Sequence, residues 1–128
     1  MNEIVKEWIA KAEGDYRTAS REALALEHPH YDAICFHAQQ CIEKLMKAAL
    51  IAQGSVPPKT HDLPFLDKFL RSACPDWSWP LEELRFLTRA AVDFRYPGES
   101  ADQEEAREAL AICDRLRKKL LGLLRIHK

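Results

Sequence analysis

Apolar residues recur every three or four positions along almost the whole chain, and nowhere do they alternate over a length that would make a strand. In residues 3 to 26, Ile4, Trp8, Ile9, Ala12, Tyr16, Ala19 and Ala23 lie on one face of an amphipathic helix. Gly14 weakens this helix without stopping it, and the break falls at EHPH, where Pro29 disfavours the right-handed helical conformation for His28. From Tyr31 to Gln53 the periodicity is strongest. At 100° per residue, Ile34, Ala38, Cys41, Ile42, Leu45, Met46, Ala49 and Leu50 fill one broad arc, while His37, Gln40, Glu43, Lys44 and Lys47 fill the opposite one. Gly54 and the breaker run SVPPK close this second helix.

The stretch THDLPFLDKFLRSA offers Thr60 or Asp62 as the N-cap of a third helix carrying Leu63, Leu66, Phe69 and Leu70, with Pro64 in the first turn, where a missing N–H costs little. After the connector CPDWSWP, the run LEELRFLTRAAVDFRY gives a fourth stripe of Leu81, Leu84, Leu87, Ala91 and Phe94, stopped by Pro97 and Gly98. Ser100 and Gln103 match an S-x-x-Q capping box for a fifth helix over about 101–126. Its core face is Ala106, Ala109, Leu110, Cys113, Leu116, Leu120 and Leu124. The pattern therefore predicts an all-α fold, an antiparallel up-and-down bundle of about five helices joined by short connections.

Composition narrows the class. At 128 residues, with 47% hydrophobic and 30% charged residues, the chain reads as one globular domain over 1–128 with a core that needs no staples. Nineteen Lys and Arg against 20 Asp and Glu leave no global field to attract nucleic acid, so any such contact must come from a local patch. No membrane-length apolar run or signal-type block appears, which makes a cytoplasmic address the default. Cys35, Cys41, Cys74 and Cys113 lack CxxC spacing and read as buried free thiols. His37 and Cys41, at i and i+4, are two ligands short of a metal site, so no metal or other cofactor is expected.

Several residues carry possible chemistry. His37, Gln40 and Lys44 project within about 60° of one another, either as a solvated face or as a donor-rich groove for phosphate or a base edge. Gln39 lies at the edge of the apolar arc, and if buried its amide must find partners. His61, one residue before Asp62, is either a capping residue or an acid–base group oriented by a carboxylate. Arg95 stands at a helix end, where a guanidinium can cap carbonyls, reach an acidic group across the bundle or bind an anion.

Taken in order, Trp8, Ala12, Asp15 and Ala19, then FHAQQCIEKLMKA at 36–48 with Gln39, Gln40, Glu43 and Lys44, then THDL at 60–63, then Arg95-Tyr96-Pro97, the chain resembles the HEPN domain family in its small stand-alone prokaryotic form. That resemblance implies a five-helix bundle that commonly forms a homodimer. It also implies a minimal nucleotidyltransferase as partner in a toxin–antitoxin-type module, and a metal-independent ribonuclease activity in active members. There an Arg holds the scissile phosphate and a His moves the proton of the attacking 2′-hydroxyl, within an R-x(4–6)-H motif.

Here the His positions after Arg95 are Ser100, Ala101 and Asp102, and no His follows until His127. The foremost expectation is thus a module that binds a nucleotide or RNA phosphate through Arg95, Tyr96, Lys44, Gln40 and His37, joined by His61 if the fold brings it beside Arg95. The alternatives are a divergent ribonuclease using Arg95 with His61 or Tyr96, and a non-catalytic interaction scaffold.

Overall fold

The computed structural model describes residues 2–93 and 96–126. It contains five helices in an up-and-down bundle: α1 (Glu3–Ala23), α2 (Tyr31–Ala52), α3 (Leu63–Ala73), α4 (Leu81–Asp93) and α5 (Gln103–Ile126). There is no strand among the described residues. The fold class is the one the periodicity predicts.

Each helix starts and stops for a local reason. The Asn2 side chain caps α1 by accepting the Val5 N–H at 2.7 Å. In the connection to α2, His28 adopts a left-handed φ of 48°, so the residue before Pro29 leaves the helical region as its neighbour demands. At the far end of α2, Gly54 takes a φ of +84°, a conformation that a side chain would oppose. Asp62 occupies the N-cap position of α3, and Thr60 instead accepts the Asp62 N–H through its hydroxyl. The turn after α4 closes with the Glu99 N–H on the Tyr96 carbonyl and Gly98 at φ +91°.

The start of α5 differs from the expected one. The capping box is formed by Asp102 and Glu105, which each accept the other's backbone N–H at 2.8 and 3.1 Å, and not by Ser100 and Gln103. The sequence SADQEE holds both registers. Asp32, in the first turn of α2, decides between them by accepting the Ala101 N–H at 2.7 Å, which keeps residues 100 and 101 outside the helix.

The packing has α2 at its centre, since each of the other four helices lies against it. The core joins Ile34, Ala38, Cys41, Ile42, Leu45, Met46 and Leu50 of α2 to Leu66 and Leu70 of α3, Leu84 and Leu87 of α4, and Ile112, Cys113, Leu116 and Leu120 of α5. All four cysteines are free and buried, and burial pushes the Cys35 thiol up to about 12. The 74–80 connector is fastened to both sides. The Trp77 indole donates to buried Asp67 at 2.7 Å, and the Lys119 ammonium sits over the stacked rings of Trp77 and Trp79. Among the described residues no helix is long and apolar enough to cross a membrane.

Candidate functional site

Because α2 is central, its polar arc cannot all face water. Gln39, Glu43 and Lys47 are buried, and His37, Gln40 and Lys44 are half-buried. The burial of Glu43 and Lys47 is not foreseen by the wheel, for a simple reason: a wheel gives the direction of a side chain but not what lies over it. Here α1 covers one flank and the loop before α3 covers the other. Charges taken from water in this way must be paired, and each is.

On the α1 side, one carboxylate of that helix gathers two of the predicted residues. Asp15 bonds the Nδ1 of His37 at 2.7 Å and accepts from the Lys44 ammonium. The structure thus brings His37 and Lys44 together, with Lys44 already neutralised by its own protein. The Phe36 ring meets the imidazole of His37 edge-on, with centroids 5.2 Å apart.

On the other side, Glu43 is the hub. Its Oε1 accepts from the amides of Gln39 and Gln40, both at 3.2 Å, and lies 2.9 Å from Nδ1 of His61, while Oε2 accepts from Lys47 at 3.0 Å. Gln39 also donates to the His61 carbonyl at 2.9 Å, so both the backbone and the ring of His61 are pinned to α2. Gln40 completes the set by donating to the side-chain amide oxygen, Oε1, of Gln39 at 2.8 Å. The partners that a buried Gln39 requires are all supplied.

Burial works to raise the Glu43 pKa, but the hydrogen bonds from His61, Lys47 and Gln39 and the Lys47 charge outweigh it, so the carboxyl titrates below its ordinary value. An ionised Glu43 fixes the proton of His61 on Nδ1, which leaves Nε2 as the free ring nitrogen. The imidazole side chain is 77% exposed. It stands in a small open cleft of about 140 Å³ lined by Phe36, Gln39, Gln40, His61, Ala91 and Val92. Ala91 and Val92 belong to the last described turn of α4. Tyr96 is exposed in the turn that follows, and Arg95 lies outside the described residues.

The acidity shift has a measurable sign. Because the folded-state value is depressed, the stabilisation is present in full above the ordinary glutamate value near 4.5 and is lost as pH falls through the lowered one. Melting temperatures recorded from pH 6 to pH 3 should fall more steeply for the wild-type protein than for Glu43→Gln. Superimposable acid limbs would contradict the pairing of this carboxylate.

Periodicity placed Glu43 on the polar arc, and the resemblance named both Asp15 and Glu43, but neither showed that these two acids organise the network. The signal was present in the local spacing, since Glu43 lies four residues after Gln39 and four before Lys47, within reach of both on one helix. Nothing local marks Asp15, whose partners lie 22 and 29 residues away. Among the described residues no group of three or more His, Cys, Asp or Glu side chains could hold a metal ion.

The wider comparisons agree with the helical bundle. The HEPN domain pattern matches residues 5–123, and the chain belongs to the HEPN domain family. A solved structure, that of TT1696 from Thermus thermophilus, is similar in fold, with a TM-score of 0.75 and 24% identity over 93% of this chain and 97% of that one. No curated protein matches the chain significantly.

Proposed function

We propose that this HEPN protein binds the phosphate of a nucleotide or of RNA in the cleft beside His61. The observation that carries this reading is the exposed imidazole held at Nδ1 by the buried Glu43 carboxylate. A ring fixed in this way presents one nitrogen, Nε2, to a ligand, and a protonated ring donates from Nε2 to a phosphate oxygen while Nδ1 donates to Glu43. Gln40 at the cleft wall and Arg95 and Tyr96, which follow α4 in sequence, are the further ligand groups we assign to it, with His37 and Lys44 on the adjoining flank of α2. We further propose that the protein acts as a homodimer in the cytoplasm, beside a minimal nucleotidyltransferase in a toxin–antitoxin-type module. Its mass by light scattering would then be twice 14.7 kDa.

One observation favours a second reading, that of a divergent metal-independent ribonuclease. A neutral His61 with its proton on Nδ1 has its lone pair on Nε2, where it can take the proton of an RNA 2′-hydroxyl as that oxygen attacks the adjacent phosphorus. The 5′-oxygen then leaves and takes a proton from water, His61 releases its own to solvent, and a 2′,3′-cyclic phosphate and a 5′-hydroxyl are the products. Scaffolding alone would not require an imidazole that is both exposed and held.

Titration of purified protein with adenosine monophosphate and with short RNAs tests both readings. His61→Ala should weaken binding about 10- to 100-fold, the worth of a hydrogen bond to a charged group. If cleavage occurs, the same variant should lose about 10²- to 10⁴-fold of its rate. Equal affinity of His61→Ala and wild type for every phosphate ligand would sink the binding reading, and intact RNA after prolonged incubation with wild type would sink the nuclease one.

A further inference from the structure

Arg85 and Arg89 stand four residues apart on one face of α4, both exposed, and among the described residues neither makes a hydrogen bond or an ion pair. Arg71, Arg115 and Arg117 differ, since each binds a carboxylate of its own protein. Like charges at this spacing repel by a few tenths of a kcal/mol, so the pair adds nothing to the helix itself. Together they line a cleft of about 430 Å³ with Asp62, Pro64, Glu82 and Thr88.

Two features tie this second cleft to the first. Asp62 follows His61 directly, and the loop is fastened to α4 where the Leu63 N–H donates to the Thr88 hydroxyl at 3.1 Å. Consecutive segments of α4 then border both clefts, Arg85 to Arg89 in one and Ala91 with Val92 in the other. A separate observation comes from α3. Within it Phe65 and Phe69, at i and i+4, share one face, and Phe65 directly follows the cleft residue Pro64. Both rings are about 40% exposed, at 42% and 41%, and they meet edge-to-face with centroids 5.2 Å apart.

We propose that the α3–α4 surface is a binding track for single-stranded RNA, with Arg85 and Arg89 on successive backbone phosphates and Phe65 and Phe69 as a platform for bases. This rests on the phosphate reading of the His61 cleft, and extends its ligand from a lone nucleotide to a strand that continues past it. Arginines whose backbone positions are about 6 Å apart along a helix axis suit neighbouring phosphates of one strand better than two oxygens of a single phosphate. Unpaired arginines beside exposed aromatics are the combination that single strands use, because every base has a face to stack and every linkage a charge. A duplex would present its charge without its base faces and would leave the phenylalanines idle. The arginine–phosphate contacts make the track salt-sensitive, and since Asp62 and Glu82 share the cleft and oppose an anion there, replacing Asp62 by a neutral residue strengthens it.

Fluorescence anisotropy of a labelled 12-nucleotide single-stranded RNA, titrated across a sodium chloride series, tests the track. Relative to wild type, the double variant R85Q/R89Q should lower the slope of log K against log salt by about 1.4, or 0.7 for each phosphate released. This corresponds to about a sevenfold difference between 50 and 200 mM salt. F65S/F69S should weaken binding while leaving the slope as it is, and Asp62→Asn should tighten it.

R17Q/R21Q, a pair of the same spacing on an exposed face of α1, serves as the control for net charge and should leave the slope near that of wild type. Adenosine monophosphate should bind wild type and R85Q/R89Q equally. An unchanged slope in R85Q/R89Q, or an equal fall in the control pair, overturns the track. Wild type binding the mononucleotide but no RNA overturns the track and spares the phosphate reading, whereas binding of neither removes both. Preference for polyglutamate over RNA at the same arginines would make this a surface for an acidic protein and would likewise overturn the proposal.

Discussion

Glu43→Ala is expected to destabilise the protein by about 3 kcal/mol, read as a fall in the urea midpoint. The substitution removes the acceptor of Gln39, Gln40 and Lys47 and the partner of His61 at one stroke. Most of the cost comes from Lys47, whose side chain is only 11% exposed and would keep its charge without a counter-charge beside it. Adding Lys47→Met should therefore recover more than half of the loss, because a methionine of similar length fills the space and needs no partner. A loss below about 0.5 kcal/mol in Glu43→Ala would mean that the network is ornamental to the fold. The same variant should bind phosphate ligands as poorly as His61→Ala, since the ring would no longer be held.

Leu45→Ala should cost about 3 kcal/mol, within the range for leucine truncation in a close-packed interior. Leu45 has no exposed surface and lies on the helix against which all the others pack, so the space it vacates is walled on every side. Leu26→Ala removes the same atoms from a side chain that is 99% exposed and should change stability by less than about 0.5 kcal/mol. Similar midpoints for the two variants would contradict the central place of α2.

The helices and most of the core face were legible because hydrophobic spacing is a local property. The seven residues expected to form the core face of α5 are buried except for Leu110, which is half-buried. Helix ends were legible where one signal stood alone, as with Gly54. Where two overlapped, as at SADQEE, the choice fell to Asp32 nearly 70 residues earlier, and no local rule reaches that far.

The candidate site divides in the same way. His61 and Gln40 were legible as residue types with chemistry to offer, and Gln39 was legible as an amide that burial would oblige to find partners. That Gln40 and His61 share one carboxylate, and that Lys44 is matched by Asp15, depends on the approach of segments 18 to 29 residues apart. Arg85 and Arg89 carry no local signal in the sequence, since their want of partners becomes visible only once every nearby carboxylate has been placed.

By itself, the sequence determined that the chain is helical, where its five helices fall, which faces form the core and that the family is HEPN, because periodicity, caps and motif order all act over short spans. Only the tertiary structure decided that α2 is enclosed on its polar side as well. Burying a carboxylate there forces it to collect partners from wherever the chain passes, and the loop that supplies one of them is what sets His61, outward and held, at the mouth of a cleft.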